Sequence, residues 1–167
     1  MSADAPLEPL APSQLNAYFA LIEVGSLLQH AVDQQLREEG GLSYTQFQIL
    51  AMLGERAEGQ ERMTDIADQL VHSRSGLTYQ ITQLADRGLV VKAPSPEDER
   101  SVVVSLTEEG RTLLDHVMRG HVEVVRRLVF APLGEGDVAQ LGDILSRVRD
   151  TMRADPPRSA APRRKRG

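Results

Sequence analysis

The sequence predicts a mainly α-helical fold that carries one small β-hairpin. In six segments the apolar residues recur at steps of three and four, which is the spacing of a helix that buries one face. Two short apolar runs lie between the fourth and fifth segments, and a tip of prolines and acids separates them, as in a hairpin. A chain of 167 residues is long enough for one compact domain with tails.

The first helix is expected from about Ser13, its N-cap, to Glu39. Two glycines, Gly40 and Gly41, are expected to end it. A second helix should begin after Ser43, because a glutamine three residues later completes a capping-box pattern. One long apolar stripe runs along the first helix and comprises Leu15, Tyr18, Phe19, Ile22, Gly25, Leu28, Val32 and Leu36.

A polar loop over residues 54–62 is expected after the second helix. Thr64 should cap a short third helix, because the apolar spacing resumes directly after it. The fourth helix is expected to start at one of two serines, Ser73 or Ser75.

The hairpin is expected to comprise strands at residues 89–93 and 100–106, joined by a tip at 94–99. Thr107 should cap a fifth helix, with two glutamates in its first turn, where the helix dipole favours acids. Pro132 is expected to break this helix, and a sixth helix follows.

Residues 64–106 carry the functional prediction, because a short helix, a tight turn, a second helix and a hairpin make a winged helix-turn-helix. In the second of these helices Leu77, Ile81 and Leu84 should be buried. The opposite face consists of residues that can bind base edges or phosphates: Ser73, Arg74, Ser75, Thr78, Tyr79, Thr82 and Gln83. The first three lie at the helix N-terminus, where free N–H groups attract phosphate. The alternatives are a polar face that only contacts solvent, or a winged-helix module that binds proteins.

The hairpin tip contains a second candidate DNA contact. Arg100 is expected to enter a minor groove, where the guanidinium is attracted by a narrow negative channel. Asp98 would orient that arginine through an ion pair. Spacing alone leaves an ordinary solvent-exposed salt bridge equally open.

These segments together resemble the MarR family of multiple-antibiotic-resistance regulators. The similarity extends over about residues 13–152, and its strongest part is the Asp-x-Arg of the hairpin followed by Leu-Thr-x-x-Gly. The matching pieces are Leu42-Ser43-Tyr44-Thr45-Gln46-Phe47-Gln48-Ile49-Leu50, Thr64-Asp65-Ile66-Ala67, Ser73-Arg74-Ser75-Gly76-Leu77-Thr78, Leu84-Ala85-Asp86-Arg87-Gly88-Leu89-Val90, Asp98-Glu99-Arg100-Ser101 and Ser105-Leu106-Thr107-Glu108-Glu109-Gly110.

The resemblance implies a triangular homodimer, held together by the N- and C-terminal helices, that binds double-stranded DNA at a pseudopalindromic operator. It implies that Arg100 reaches the flanking minor groove and that the protein represses transcription. It also implies release by a small aromatic or lipophilic effector, for which Tyr18, Phe19, His30 and Tyr44 are candidate contacts. The broad apolar stripe of the fifth helix independently favours a dimer, although an ordinary intramolecular core remains open.

The chain departs from the family pattern at the expected DNA surface. Many members have arginine where this chain has Tyr79, often a second basic residue in place of Gln83, and a second arginine in place of Glu99. Residues 60–105 contain five basic and seven acidic residues, which predicts weak electrostatic attraction to DNA.

Both termini are expected to be disordered, because residues 1–12 and 154–167 each contain three prolines. The folded domain is therefore placed at residues 13–153, with its winged region at about 43–106. The last fifteen residues carry a charge of +5 within a chain of net charge −5. This basic tail is expected to add non-specific attraction to DNA.

Several classes of function are excluded by what the sequence lacks. Without cysteine there is no disulfide, thiolate metal ligand or thiol redox sensor. The motifs of a phosphate loop, a nucleophile elbow and a metalloprotease are missing, so neither an enzyme nor a cofactor is expected. His116 and His121 are five residues apart and do not share a helix face, which argues against metal binding. No signal peptide or membrane span is visible, so a cytoplasmic protein is expected.

Overall fold

The computed structural model describes residues 8–70, 74–95 and 101–154. It confirms a mainly α-helical fold with a small antiparallel sheet. The elements in chain order are α1 (Pro12–Gly40), α2 (Tyr44–Glu55), β1 (Gln60–Arg62), α3 (Met63–Leu70), α4 (Arg74–Asp86), β2 (Val90–Pro94), β3 (Val102–Leu106), α5 (Glu108–Val125), a π-helical turn (Arg126–Phe130) and α6 (Glu135–Ala154).

Helix α1 begins one residue earlier than predicted. Its N-cap is Ala11, so the prediction of Ser13 as the cap is wrong. Pro12 occupies the first helical position, where its fixed φ suits the helix and its missing N–H costs nothing. The Gln14 side chain compensates for the missing cap by accepting a hydrogen bond from the Ala11 N–H at 2.8 Å. The helix ends as predicted, at Gly41 with φ +58°.

The core lies between the last turns of α1, helices α2 to α5 and the sheet. Its largest fully buried side chains are Val32, Leu36, Leu42, Ile49, Leu50, Leu53, Ile66, Leu77, Ile81, Leu84, Val90 and Val104. The predicted capping box at the start of α2 is present, because Ser43 Oγ accepts from the Gln46 N–H at 3.2 Å and Gln46 Oε1 accepts from the Ser43 N–H at 3.0 Å. These bonds fix where α2 enters the core.

The sheet has three strands in the order β1-β3-β2, all antiparallel. Strand β1 pairs with β3 so that Gln60 lies opposite Ser105 and Arg62 opposite Val103. The predicted polar loop over residues 54–62 is confirmed at 56–59 and wrong at its ends, because 54–55 belong to α2 and 60–62 to β1. Three polar residues carry no apolar alternation, and only the backbone pairing with β3 makes this segment a strand.

Two predicted helix starts also differ from the structure. Helix α3 begins at Met63, so Thr64 lies inside its first turn and does not cap it. Helix α4 begins at Arg74, which places Ser75 inside the helix, while Ser73 lies outside the described residues. Residues 96–100 of the predicted hairpin tip also lie outside them.

Thr107 joins the start of α5 to the chain that follows α4. As predicted it is the N-cap, and its Oγ1 accepts a hydrogen bond from the Gly110 N–H at 3.0 Å. The same hydroxyl donates to the Gly88 carbonyl at 2.7 Å. A Cβ atom on Gly110 would overlap the carbonyl oxygen of Leu89, so only glycine allows this close approach. The Leu-Thr-x-x-Gly motif thus has a packing function.

The C-terminal part of the structure lies outside the core. Helix α5 changes at Arg126 into a single π-helical turn, which the sequence did not predict. Helix α6 has 20 residues, and none of them is buried. Most helical stability in proteins comes from packing of an amphipathic face, and α6 buries no residue within the described chain.

We expect Gly110→Ala to lower the free energy of unfolding by about 1–3 kcal/mol, because the added methyl group must push α5 away from Leu89. Gly136→Ala, in the first turn of α6, is the matched control, because no atom lies within 4 Å of its Cβ position. The control should be neutral or more stable by up to about 1 kcal/mol. Denaturant unfolding of the two variants measures both effects, and equal stability would contradict the assigned packing.

Candidate nucleic-acid interface

Helix α4 presents one face to the core and the other to solvent. Leu77, Ile81 and Leu84 are fully buried, as predicted. On the outer face Thr78 and Gln83 are exposed, and Tyr79 keeps 60% of its surface accessible. The first acidic residue of the helix is Asp86, its last residue. The outer face is therefore polar and free of acids over three turns, which suits hydrogen bonding to base edges.

Two of these side chains form a pair on the exposed surface. The Gln83 amide donates a hydrogen bond to the Tyr79 hydroxyl at 3.2 Å, across one helical turn. The bond leaves the carbonyl oxygen of the amide and one of its N–H groups available. It also restrains two side chains that would otherwise lose rotamer freedom on binding.

Lys92 brings a positive charge to the same face. It lies on β2, and its Nζ donates to the Thr82 hydroxyl on α4 at 3.2 Å. Lys92 was not among the residues predicted to contact DNA, although a strand that turns back directly after α4 must pass beside the last turns of that helix. The recognition face is defined here as Thr78, Tyr79, Thr82, Gln83 and Lys92.

The other predicted DNA contacts are less fully described. Arg74 and Ser75 belong to the first turn of α4 by their backbone. Ser73, Asp98 and Arg100 lie outside the described residues. The structure therefore places four of the nine predicted site residues on the recognition face and adds Lys92 to them.

The four candidate effector contacts do not form one site within this chain. The rings of Tyr18 and Phe19 lie 5.5 Å apart on the exposed part of α1. His30 is exposed as well, and Tyr44 packs against the core. A cavity of about 230 Å³ lies between α3, α4 and the start of β3, and none of these four residues lines it.

Large apolar side chains are exposed on α1, α5, the π-helical turn and α6. The predicted stripe on α1 buries only its C-terminal members, Val32 and Leu36, and leaves Phe19 62% accessible. The exposed set, called the outer apolar surface below, comprises Leu15, Tyr18, Phe19, Leu21, Ile22, Val24, Leu27, Val122, Leu128, Phe130, Val138, Ile144, Leu145, Val148 and Met152. Large exposed apolar side chains mark an interaction surface where they adjoin, since such patches are rare on monomeric proteins.

Comparisons with known proteins agree with this geometry. A family model described as MarR family matches residues 40–101, from the end of α1 to the start of β3. The HTH-type transcriptional regulator PecS of Dickeya dadantii is 33% identical over 129 residues, which cover 77% of this chain and 76% of PecS. The chain belongs to the MarR family. Its relatives are transcriptional regulators, so it is a DNA-binding regulator and not an enzyme.

Two solved MarR-type structures are similar over most of their length. A MarR family transcriptional regulator from Streptomyces coelicolor, crystallised in complex with DNA, superposes with a TM-score of 0.84 at 28% identity and covers 89% of this chain and 93% of its own. CouR from Rhodococcus jostii, crystallised with p-coumaroyl-CoA, has a TM-score of 0.70 at 29% identity. The similar region covers 79% of this chain and 90% of CouR. The winged helix-turn-helix fold predicted from the sequence is thereby confirmed.

This MarR family member shows neither a metal site nor a membrane span within residues 8–70, 74–95 and 101–154. No group of three or more His, Cys, Asp or Glu side chains there can hold an ion. No helix there combines the length and the low polarity that crossing a bilayer requires.

His121 packs behind the winged region, with its ring 4.7 Å from that of Phe47 between centroids. Burial lowers the pKa of His121 below its usual value of 6.5, because the charged imidazolium loses solvation. The Nδ1 atom is buried without a hydrogen-bond partner. His121 is therefore a partly buried residue packed against Phe47, in surroundings that disfavour its charged form.

We expect the free energy of unfolding to fall as the pH drops below about 6.5. In that range the unfolded chain binds a proton at His121 more readily than the folded chain does, because the folded pKa is lowered. Above that pH His121 is neutral in both the folded and the unfolded chain, so its full contribution to the free energy of unfolding is present. His121→Gln should flatten the profile measured by denaturant unfolding between about pH 7.5 and about pH 5.5. His116→Gln, at an exposed position on the same helix, should leave it unchanged. Equal profiles for both variants would contradict this assignment.

Proposed function

We propose that the chain is a repressor that binds a pseudopalindromic operator as a homodimer and is released by a small aromatic or lipophilic effector. The observation that carries this proposal is the recognition face of α4, which is exposed, free of acids and joined by Lys92. A protein-binding module would instead be expected to expose apolar side chains at Thr78 and Gln83.

In the proposed complex α4 enters the major groove, which has the width of a helix. Tyr79 and Gln83 face base edges, while Thr82 and Lys92 lie towards a phosphate. The N-terminal end of α4, at Arg74 and Ser75, faces a phosphate, because the helix dipole attracts negative charge there, and Ser73 is proposed to contact the same phosphate. Arg100, oriented by Asp98, reaches the minor groove. Residues 43–106 thus form the DNA-reading unit of a domain that extends over residues 13–153.

The outer apolar surface supports the proposed homodimer. Helix α6 buries no residue within one chain, and the first half of α1 is exposed as well. A second copy of the chain supplies the packing surface that both helices lack, since a twofold axis brings identical apolar faces together. The same axis places two α4 helices on one face of the duplex, which is the arrangement that a pseudopalindrome requires.

The proposed effector site lies between the dimer helices and the winged region. CouR, a protein of similar fold, was crystallised with p-coumaroyl-CoA, which supports an aromatic acyl compound as the effector class. Tyr18 and Phe19 offer aromatic surface on the face where a partner would complete the site. A dimer that covers promoter DNA excludes polymerase, so repression is the proposed outcome, in the cytoplasm where the chromosome lies.

The DNA contacts are tested with duplexes that the purified full chain selects from a random pool. Arg74→Ala and Arg100→Ala should each cost about 1–3 kcal/mol of binding free energy. Lys92→Gln should reduce the salt slope by about 0.9 for each phosphate that the lysine neutralises. Fluorescence anisotropy at several salt concentrations measures these effects.

Arg37→Gln, at an exposed position on α1, should leave the affinity unchanged. Failure to enrich any duplex would favour the protein-binding alternative.

The dimer is tested by placing a charge on the outer apolar surface. Leu145→Glu on α6 should shift the protein to monomer in sedimentation velocity, because a carboxylate cannot be buried there without a partner. DNA affinity should fall with it, since one half-site then binds alone. Val91→Glu, at an exposed apolar position on β2 outside this surface, should remain dimeric. A dimeric Leu145→Glu protein, or a monomeric wild type, would contradict the assigned interface.

A further inference from the structure

Arg87 forms a hydrogen-bonded bridge between the end of α4 and the end of α1. Its Nη1 donates to the Gly41 carbonyl and its Nη2 to the Gly40 carbonyl, both at 2.9 Å. These two carbonyls belong to the last turn of α1, where backbone acceptors have no partner within the helix and the dipole is negative. A guanidinium presents two donors in a rigid fork and so fixes both distance and angle.

The backbone around Arg87 is also held at the end of α4. Three backbone N–H groups donate to backbone carbonyls of α4: Arg87 to Gln83 at 3.3 Å, Gly88 to Ala85 at 2.9 Å and Leu89 to Leu84 at 3.0 Å. Gly88 adopts φ +72°, the left-handed conformation that ends a helix. The backbone of Arg87, Gly88 and Leu89 therefore terminates α4, while the Arg87 side chain caps α1.

The α1 side of this bridge is itself firmly attached to α2. Asp33 of α1 accepts a hydrogen bond from the Tyr44 N–H at the start of α2, at 3.0 Å. The last turns of α1 are buried through Val32 and Leu36. Any displacement of this corner must therefore be carried to α4 through Arg87 or must break the bridge.

We infer that Arg87 is a positioning residue that sets the angle of α4 relative to α1, and with it the spacing of the two recognition helices, without contacting DNA. This inference rests on the proposed function, because only a DNA-bound dimer makes that spacing matter. Arg87 was counted among the five basic residues of the winged region, yet both of its terminal nitrogens already donate to α1. Its effect on binding is therefore geometric.

The bridge also connects a change at the dimer surface to α4, which gives a route for effector control. Helix α1 carries the exposed apolar stripe at one end and the two carbonyls held by Arg87 at the other. A compound that tilts α1 at the dimer surface therefore changes the angle of α4 through this bridge.

The experiment compares wild type with Arg87→Ala and Arg87→Lys on the selected duplex and on the same duplex with one base pair inserted between its half-sites. The insertion rotates one half-site by about 35°, and should weaken wild-type binding by at least about tenfold. For both variants this penalty should fall below about threefold, because α4 is no longer held at one angle. The salt slope should stay unchanged. Lysine keeps the charge but lacks the rigid two-nitrogen fork, so it should not restore spacing discrimination.

Each outcome separates the geometric role from the alternatives. A lower salt slope in Arg87→Ala, restored by Arg87→Lys, would overturn the inference in favour of a phosphate contact. A full spacing penalty in both folded, dimeric variants would overturn it as well. The control Arg37→Gln, on the last turn of α1, should behave as wild type. A wild type without any duplex preference would overturn the proposed function and the inference together, whereas the first two outcomes leave the proposed function intact.

Discussion

The structure depends on the way in which α4 rests on the core. Three side chains one turn apart, Leu77, Ile81 and Leu84, are removed from water completely, and the hydrophobic effect holds the helix by this single stripe. The polar residues on the opposite side face outward as a consequence. Burial alone does not fix rotation or tilt about such a stripe, so the polar contacts at the ends of the helix carry the remaining geometry.

Those contacts converge on one short stretch of chain. Gly88 accepts from Thr107 at the start of α5, Leu89 accepts from the Thr107 N–H at 3.1 Å, and Arg87 reaches the end of α1. Three helix termini thus meet within a few residues of the point where α4 ends. The C-terminal end of α4 is therefore hydrogen-bonded both to the end of α1 and to the start of α5, two helices that also expose apolar side chains.

The features that the sequence predicted correctly are those with local causes. Ser43 and Thr107 cap their helices because a hydroxyl bonds to an N–H three residues away, and the burial of Leu77 follows from helical periodicity. Ser13 failed because the neighbouring proline is a stronger start signal. Strand β1 pairs with β3, and Lys92 lies beside α4, because the fold brings together segments that are apart in the chain. A local sequence pattern does not show such contacts.

The π-helical turn at Arg126–Phe130 has a consequence for the long helix that it ends. A π turn takes more residues per revolution than an α turn, so side chains beyond it are rotated about the helix axis relative to those before it. Leu114 and Val117, upstream, are buried, whereas Leu128 and Phe130, within the turn, are exposed. The turn thus changes the direction in which side chains leave the helix axis, within a helix that contributes Leu114 and Val117 to the core and also exposes Val122, Leu128 and Phe130.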